Sequence, residues 1–274
     1  MGVLENFTRR IIAWPAAAVL YSVALLAFVM PAKATTNFVS NGSFESTSSG
    51  GNGGEVNGEG QIGYNINVAD WTVGGTSSTS YFFLFNLPAA DTTPGTTGVD
   101  GSLALWGPND GSSNGLTASP DGGNFVGSDP DYQNQAISQT ITGLTATQQY
   151  DVTFYWAAAQ QEGFTGATTG LGWQVSLGSQ TLSTTTTSNT SEGFNGWFQS
   201  TLVFTATSGS ELLSFLSVGN GTAALPPFVL LDGVSLTSAT PEPGSWAMIL
   251  GGLGLLAGGR VFRSRNSRRA ARDE

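Results

Sequence analysis

The chain has 274 residues, with 9 Lys and Arg, 19 Asp and Glu, no His and no Cys. No basic residue lies between Ala34 and Gly259, whereas 15 of the acidic residues lie between Glu45 and Asp232. A nucleic-acid binder needs Lys or Arg to displace counterions from phosphates, so this class of protein is excluded for the body of the chain. The absence of His, Cys and Lys from this body also excludes Ser–His triads, thiol nucleophiles, Schiff bases and zinc sites with nitrogen or sulfur ligands there.

Residues 1–34 predict a secretory signal peptide that forms a helix. The pair Arg9-Arg10 closes a basic segment, an apolar stretch follows over Ile11–Met30, and Ala32-Lys33-Ala34 is a small-x-small cleavage site with Ala32 and Ala34 as its small residues. The alternative is an uncleaved anchor, because the apolar stretch approaches the roughly 20 residues of a membrane span. We expect cleavage after Ala34.

The mature body, residues 35–239, predicts one all-β domain. Its length fits a single sandwich or barrel, and short β-rich runs recur between turn-forming clusters. No segment inside the body has the period and length of a helix. The predicted strands are Asn37–Phe44, Tyr81–Phe85, Leu103–Trp106, Ala136–Ile141, Tyr150–Trp156, Trp173–Leu177, Trp197–Phe204, Leu212–Val218 and Phe228–Leu236.

Alternation of apolar and polar residues predicts which faces of these strands are buried. In the strand that starts at Tyr150, the even-numbered residues are apolar, whereas the other face carries Asp151, Thr153 and Tyr155. A period of two indicates one buried and one wetter face. The same pattern places Trp197 on the wetter face of its strand.

Residues 240–274 predict a membrane-retention segment. Pro241-Glu242-Pro243 precedes an apolar stretch over Trp246–Gly259, which predicts a short transmembrane helix. Basic residues beside a span stay cytoplasmic, so we expect the body to face outward. About 14 apolar residues are few for a permanent span, which favours a temporary membrane hold. The residues expected to stop translocation are Arg260, Arg263, Arg265, Arg268 and Arg269.

This tripartite arrangement resembles the PEP-CTERM sorting signal of Gram-negative bacteria, with Pro241, Glu242 and Pro243 as the motif. The resemblance implies export, transient retention in the inner membrane, and processing by an exosortase, a membrane-embedded enzyme similar to a cysteine protease. It further implies delivery to the cell surface or extracellular matrix, in association with exopolysaccharide. A chance Pro-Glu-Pro before an ordinary tail anchor is the alternative.

A second resemblance rests on Asn37–Glu45, on Ala136–Leu144 with Tyr150–Trp156, and on Phe228–Leu236. These segments look like the first strand, the central hairpin and the last strand of carbohydrate-binding-module-like jelly rolls with the galactose-binding topology. The resemblance implies a jelly-roll β-sandwich. The last strand of such domains commonly carries two consecutive Asp residues, and Gly233 takes the second position here.

Asp232 is the most informative acidic residue of the body. A buried carboxylate is costly unless it is neutralised, and the body offers no Arg or Lys. Protonation, backbone N–H donors and a hard cation such as Ca²⁺ remain as alternatives. The jelly-roll resemblance implies a structural Ca²⁺ with Glu45 and Asp232 as ligands. By alternation, Asp232 shares a face with Phe228, Leu230, Val234 and Leu236.

A second acidic group consists of Asp121, Asp129 and Asp131. Turn formation explains its Asp-Gly and Asp-Pro steps, and a metal site is the alternative.

Aromatic and acidic side chains supply the remaining candidate sites. Trp197, Trp71 and Trp106 are candidates for stacking on a glycan, with core packing as the alternative role. Glu162 and Glu192 lie in predicted loops, where a pair of carboxylates could hydrolyse a glycoside.

We therefore expect an exported, non-catalytic protein of the cell surface or extracellular matrix, associated with exopolysaccharide or biofilm. The alternatives are a Ca²⁺-stabilised glycan-binding module and a carboxylate glycoside hydrolase.

Overall fold

The computed structural model describes residues 35–52, 58–76, 78–87, 89–92, 95–221 and 225–239. Two large antiparallel sheets form a sandwich, which confirms the all-β jelly-roll prediction. The predicted signal helix, its cleavage site, and the sorting segment with its transmembrane helix lie outside the described residues. Within the described ranges, no helix is long and apolar enough to span a membrane.

The strands are numbered in chain order. They are β1 (Thr47–Ser49), β2 (Gly60–Gln61), β3 (Ile66–Val68), β4 (Thr72–Val73), β5 (Phe82–Asn86), β6 (Thr96–Gly98), β7 (Gly101–Leu103), β8 (Asn124–Ser128), β9 (Ile137–Thr142), β10 (Gln149–Gln160), β11 (Thr168–Leu177), β12 (Gln180–Ser183), β13 (Thr187–Asn189), β14 (Phe198–Thr205), β15 (Ser210–Asn220) and β16 (Pro227–Ser238). Within the part of the chain that the structure describes, 3₁₀ turns occupy Ala89–Asp91 and Pro108–Asp110.

The strands form two main sheets and two small ones. Sheet I has the order β14-β10-β16-β8-β5-β2, and sheet II has the order β12-β11-β15-β9-β4, with β13 also paired to β11. The small sheets are β1-β3 and β6-β7. Sequence-distant strands are therefore neighbours, as when the last strand, β16, lies between β10 and β8 in the middle of sheet I.

The main core lies between the two sheets and follows the predicted alternation. Across it, the rings of Phe154 in β10 and Phe215 in β15 meet edge to face, with centroids 5.1 Å apart. In a domain without cysteine, burial of such apolar surface is the main source of stability. The buried side chains of β10 on this face are Tyr150, Val152, Phe154, Trp156 and Ala158.

A second core lies on the outer face of sheet I, where alternation predicted no burial. The connection between β5 and β8 folds over this face and covers both strands. β5 is therefore buried on both faces, which explains why it reads Phe-Phe-Leu-Phe and does not alternate. The members of the second core include Phe83, Phe85, Leu103, Leu105, Leu116, Phe125, Phe228 and Leu230.

Among the described residues, both cores are formed by side chains of the body, from Phe38 to Leu236. The body therefore has hydrophobic cores of its own, as a domain does.

The two ends of the body leave the sandwich side by side. Asn37 forms an isolated β-bridge with Thr237, near the end of β16. The strand predicted over Asn37–Phe44 is otherwise wrong, because Asn41 and Phe44 both have positive φ, 48° and 58°, and turn the chain. The N-terminal segment therefore contributes a turn, and Glu45 follows that turn.

A bulge in β16 changes the face on which Asp232 lies. The pairing of β10 with β16 shifts register between Thr153 and Tyr155, and Gly233 at this point has φ +58°. A Cβ at Gly233 would approach the Tyr155 ring to 2.9 Å, so glycine suits both the backbone and the contact. The β16 residues that face the main core are Val229, Leu231, Val234 and Leu236.

Asp232 consequently lies on the outer face of sheet I with Phe228 and Leu230. The prediction that it shares a face with Val234 and Leu236 is wrong, because uninterrupted alternation does not allow for the extra residue of a bulge.

Candidate functional site

Asp232 lies at the border of the second core, paired across the strands with Tyr155. Its side chain is 0% exposed, and neither carboxylate oxygen forms a hydrogen bond of normal geometry among the described residues. Burial raises the pKa of Asp232 to about 8, and the nearby Ser119 hydroxyl and Gly233 amide offset this only in part. At neutral pH the group therefore favours a proton or a cation.

Two further carboxylates approach Asp232, and their negative charges add to the rise of its pKa. They belong to Glu45 and Asp121, and we call these three residues the acidic cluster. Glu45 Oε1 accepts a hydrogen bond from the Asn124 amide at 2.6 Å. Glycine is needed at Gly123, which has φ +68°, because a Cβ there would collide with the Glu45 carboxylate.

The acidic cluster joins Glu45 to Asp232, the pair expected from the sequence, and adds Asp121, which the sequence analysis had assigned to another group. The sequence around Asp121, Asp-Gly-Gly, indicates a turn before β8. That this turn lies against Gly233, next to Asp232, is visible only in the folded structure. Within the described part of the chain, no three carboxylate, imidazole or thiol groups are close enough to hold a metal ion by themselves. A cation at this cluster would therefore also need backbone or hydroxyl oxygens.

Asp121 lies before the start of β8 and Asp129 lies directly after its end, so the second acidic group does not form one site. Asp129 is fully buried, and burial raises its pKa to about 7. Its Oδ1 accepts a hydrogen bond from the backbone N–H of Asp131 at 2.8 Å, and the Asp131 carboxylate accepts one from the backbone N–H of Gly221. These are the contacts of a turn that ties two loops together.

The three candidate tryptophans differ in their accessibility. Trp71 is 6% exposed and donates its indole N–H to the Asn41 carbonyl at 2.9 Å, so its ring is not available to a glycan. Trp106 is half-buried and donates to the Phe164 carbonyl at 2.7 Å. Trp197 is also half-buried, and it packs against the second core.

A surface aromatic that the sequence analysis did not select is Tyr155. It is half-buried on the outer face of sheet I, and it pairs with Gln199 in the neighbouring strand, β14. Trp197 directly precedes β14, two residues before Gln199. The hydroxyls of Thr153 and Thr201 lie 2.9 Å apart on the same face. We call Tyr155, Trp197, Gln199, Thr153 and Thr201 the Tyr155 face.

Glu162 and Glu192 both have loop contacts through their backbone. The Glu162 amide donates to the Ala104 carbonyl at 2.8 Å. The Glu192 amide donates to Gln160 Oε1 at 2.6 Å, and its carbonyl accepts from Asn114 Nδ2 at 2.9 Å. These contacts fix the loops but do not define a pair of catalytic carboxylates.

Residues 239–266 match the PEP-CTERM protein-sorting motif. The match confirms the resemblance carried by Pro241-Glu242-Pro243 and the Arg-rich tail. The motif indicates an exported surface protein that is held at the membrane through its C-terminus and processed by an exosortase. No curated protein matches the sequence.

Solved structures similar to this chain share little sequence with it. The CBM22-1 xylan-binding domain of Paenibacillus barcinonensis Xyn10C has 13% identity and a TM-score of 0.35, over 77% of this chain and 99% of that one. The K1 cleaved adhesin domain of Lys-gingipain from Porphyromonas gingivalis W83 has 12% identity and a TM-score of 0.38, over 63% and 92%. The arabinose-bound MgGH51 α-L-arabinofuranosidase has 11% identity and a TM-score of 0.39 over 75% of this chain, which spans 27% of that enzyme. At this level of similarity they carry no argument about function.

The buried carboxyls predict an unusual dependence of stability on pH. The pKa of Asp232, about 8, and those of Asp129 and Glu59, about 7, exceed the values of exposed carboxyls. The folded body then binds more protons than the unfolded chain, so its free energy of unfolding falls as pH rises from about 5 to about 9. We expect urea unfolding of residues 35–239 in chelator to show this decline.

Asp232→Asn should make the decline shallower over the whole range from about pH 5 to about pH 8, and it should remove most of the decline above about pH 7, whereas Asp70→Asn, at an exposed carboxyl, should not change the profile. A wild-type stability that is constant or rises over this range would show that the buried carboxyls are ionised in the folded state.

Proposed function

We propose that this chain is an exported, non-catalytic structural protein of the cell surface or extracellular polysaccharide matrix of a Gram-negative bacterium. In this proposal, residues 1–34 are removed as a signal peptide, residues 35–239 form the displayed domain, and residues 240–274 hold it at the inner membrane until an exosortase acts. The observation that carries the proposal is the sorting motif, which starts at residue 239, directly after β16 ends at Ser238.

The geometry of the body suits display. The chain leaves the sandwich at the end of β16, and this strand of 12 residues is about 40 Å long. The loops at the opposite end, such as 129–136 and 161–167, are thus far from the membrane attachment. That end is available to the extracellular surroundings.

The distribution of titratable groups supports a role without catalysis. Asp129 and Asp232 have pKa values near neutrality, as a general acid needs, but both are fully buried and out of reach of a glycoside. Glu59, whose pKa burial raises to about 7, accepts the Asn86 amide at 2.6 Å. Two of these three groups are therefore out of reach of a glycoside, and the third, Glu59, is half-buried and hydrogen-bonded to the backbone.

Processing of the C-terminus tests the proposal most directly. We expect protein released from cells to have lost the Arg-rich tail by cleavage near Pro243, and intact-mass measurement gives the new end. Replacement of Pro241-Glu242-Pro243 by three alanines should leave the full tail on a membrane-bound chain. Released wild-type protein that still ends at Glu274 would contradict the proposed sorting route.

For the acidic cluster we propose a structural Ca²⁺, held by Glu45 and Asp232. The two orphaned oxygens of buried Asp232 support this, since a body without Lys, Arg or His supplies no other positive group. Carboxylate and carbonyl oxygens are the ligands that Ca²⁺ prefers. Because Glu45 precedes the sandwich strands and Asp232 lies in β16, the ion would connect the two ends of the domain.

Added Ca²⁺ should stabilise the body more than NaCl of the same ionic strength. A ligand of the folded state adds about 2.7 kcal/mol at a hundredfold excess over its Kd, and each kcal/mol raises the Tm by roughly 2–4 °C at this size. Thermal unfolding of residues 35–239 measures the gain, which Asp232→Asn should abolish and Asp70→Asn should keep. An unchanged Tm after chelation and after Ca²⁺ addition would leave protonation as the state of Asp232.

Glycan binding is a second candidate function, and the Tyr155 face supports it. A partly exposed aromatic ring can stack on the apolar face of a sugar. Here it is surrounded by hydroxyl and amide groups that can bond sugar hydroxyls, and the surface carries no basic residue. Tyr155 also lies against Gly233, beside the acidic cluster.

If this surface binds glycans, the body should be retained on an exopolysaccharide of the host bacterium in affinity electrophoresis. Tyr155→Ala should weaken the affinity obtained from the retardation by roughly tenfold, as loss of a stacking ring implies. Tyr64→Ala, at another half-buried ring, should not change this affinity. Equal retardation of both variants would exclude the Tyr155 face. Absence of wild-type binding would leave the structural role alone.

A further inference from the structure

β14 is the one long edge strand among the described residues of the two main sheets. It ends sheet I and has eight residues, whereas the other edges, β2, β4 and β12, have two, two and four. An edge strand presents unpaired N–H and C=O groups, and its length sets how many are available to another strand.

Hydrogen bonds identify which backbone groups of β14 face outward. The Thr205 amide points away from β10, because it donates to Gln180 Oε1 at 2.9 Å. In an antiparallel pair, alternate residues direct their backbone groups to the same side. The N–H and C=O groups of Gln199, Thr201 and Val203 therefore also point away from β10, and they make no hydrogen bond within the described residues.

β14 lacks the features that usually protect an edge. Its sequence, Phe-Gln-Ser-Thr-Leu-Val-Phe-Thr, contains no charge and no proline, and its pairing with β10 has no bulge. Two large apolar side chains are exposed on it, Val203 at 45% and Phe198 at 38%. In a body with 15 acidic residues, an uncharged strand at this position is a surface where another strand can approach without charge repulsion.

We propose that β14 pairs antiparallel with β14 of a second copy, around a two-fold axis at Thr201. Thr201 then lies opposite Thr201 of the second copy, and Gln199 lies opposite Val203 of the second copy. Each of these facing pairs exchanges two N–H···O bonds, about six in all. The outward backbone groups are thus satisfied by a second copy of the same strand.

The side chains of this register favour a second copy over a strand of different sequence. Thr–Thr pairs are favourable across strands, the Val203–Gln199 pairs carry no charge, and Phe198 lies opposite Phe204 of the second copy. Pairing joins the two copies of sheet I into one continuous sheet. Because the rest of each body is acidic, the dimer should strengthen with NaCl as screening weakens the repulsion.

The test is sedimentation equilibrium of residues 35–239 over a wide concentration range, at low and high NaCl. We expect a monomer–dimer equilibrium that shifts to dimer in high salt. Thr201→Glu places two like charges opposite each other at the two-fold axis, so it should weaken the dimer by roughly tenfold relative to Thr201→Gln, which has the same shape without the charge. Thr72→Glu, at an exposed position of the edge strand β4 in the other sheet, should have no such effect. Thermal unfolding checks that each variant is folded.

Amide hydrogen exchange assigns the interface. The amides of Gln199, Thr201 and Val203 should exchange more slowly in concentrated than in dilute samples, whereas those of Ser200 and Leu202, which face β10, should not change. A monomer under all conditions, equal dimerisation of Thr201→Glu and Thr201→Gln, or a dimer without slowed exchange in β14 would each overturn the proposal. None of these outcomes affects the processing of the C-terminus.

Discussion

The absence of any positive side chain from the body constrains the rest of this structure. Every carboxylate that leaves water must be neutralised by N–H or O–H donors, by a proton or by a cation from solution. Glu211 is stabilised by hydrogen-bond donors. Burial alone would raise its pKa, but hydrogen bonds from the hydroxyl and backbone N–H of Thr207 and from the backbone N–H of Ser208 lower the pKa. Asp232 lacks such donors in good geometry and is left with the proton or the cation.

The sequence predicted much of the fold, because burial repeats with a period of two along an isolated strand. β10, β11 and β15 carry that period, whereas β16 is buried on both faces before its bulge; the structure has all four strands, each longer than predicted. β8 was missed, since Asn-Phe-Val-Gly-Ser is short and is buried on both faces by neighbours distant in sequence. The turn at Asn41 and Phe44 was missed although Asn41-Gly42 is a turn-forming pair, because the apolar residues on either side were interpreted as one strand.

The sequence predicted two residues of the acidic cluster, Glu45 and Asp232, but not how they are arranged. Alternation placed Asp232 among apolar residues of its strand, and the charge distribution left it without a basic partner. Its true environment depends on the bulge at Gly233 and on the loop that carries Asp121, and both are set by tertiary contacts. The same limit applies to Trp71 and Tyr155, whose exposure depends on which loops cover each face.

In our proposals, membrane attachment, stabilisation by a cation and dimerisation involve different parts of the body. The two ends of the body lie side by side at Asn37 and Thr237, the acidic cluster lies where the loop before β8 meets β16, and β14 is an edge strand of sheet I. The protonation state of Asp232 is the central claim, and ¹³C NMR titration of its side-chain carboxyl measures it directly. In chelator we expect a carboxyl that remains protonated at pH 6 and titrates near 8, and that becomes ionised at pH 6 when Ca²⁺ is added. A carboxyl already ionised at pH 6 in chelator would show that Asp232 needs neither the proton nor the cation.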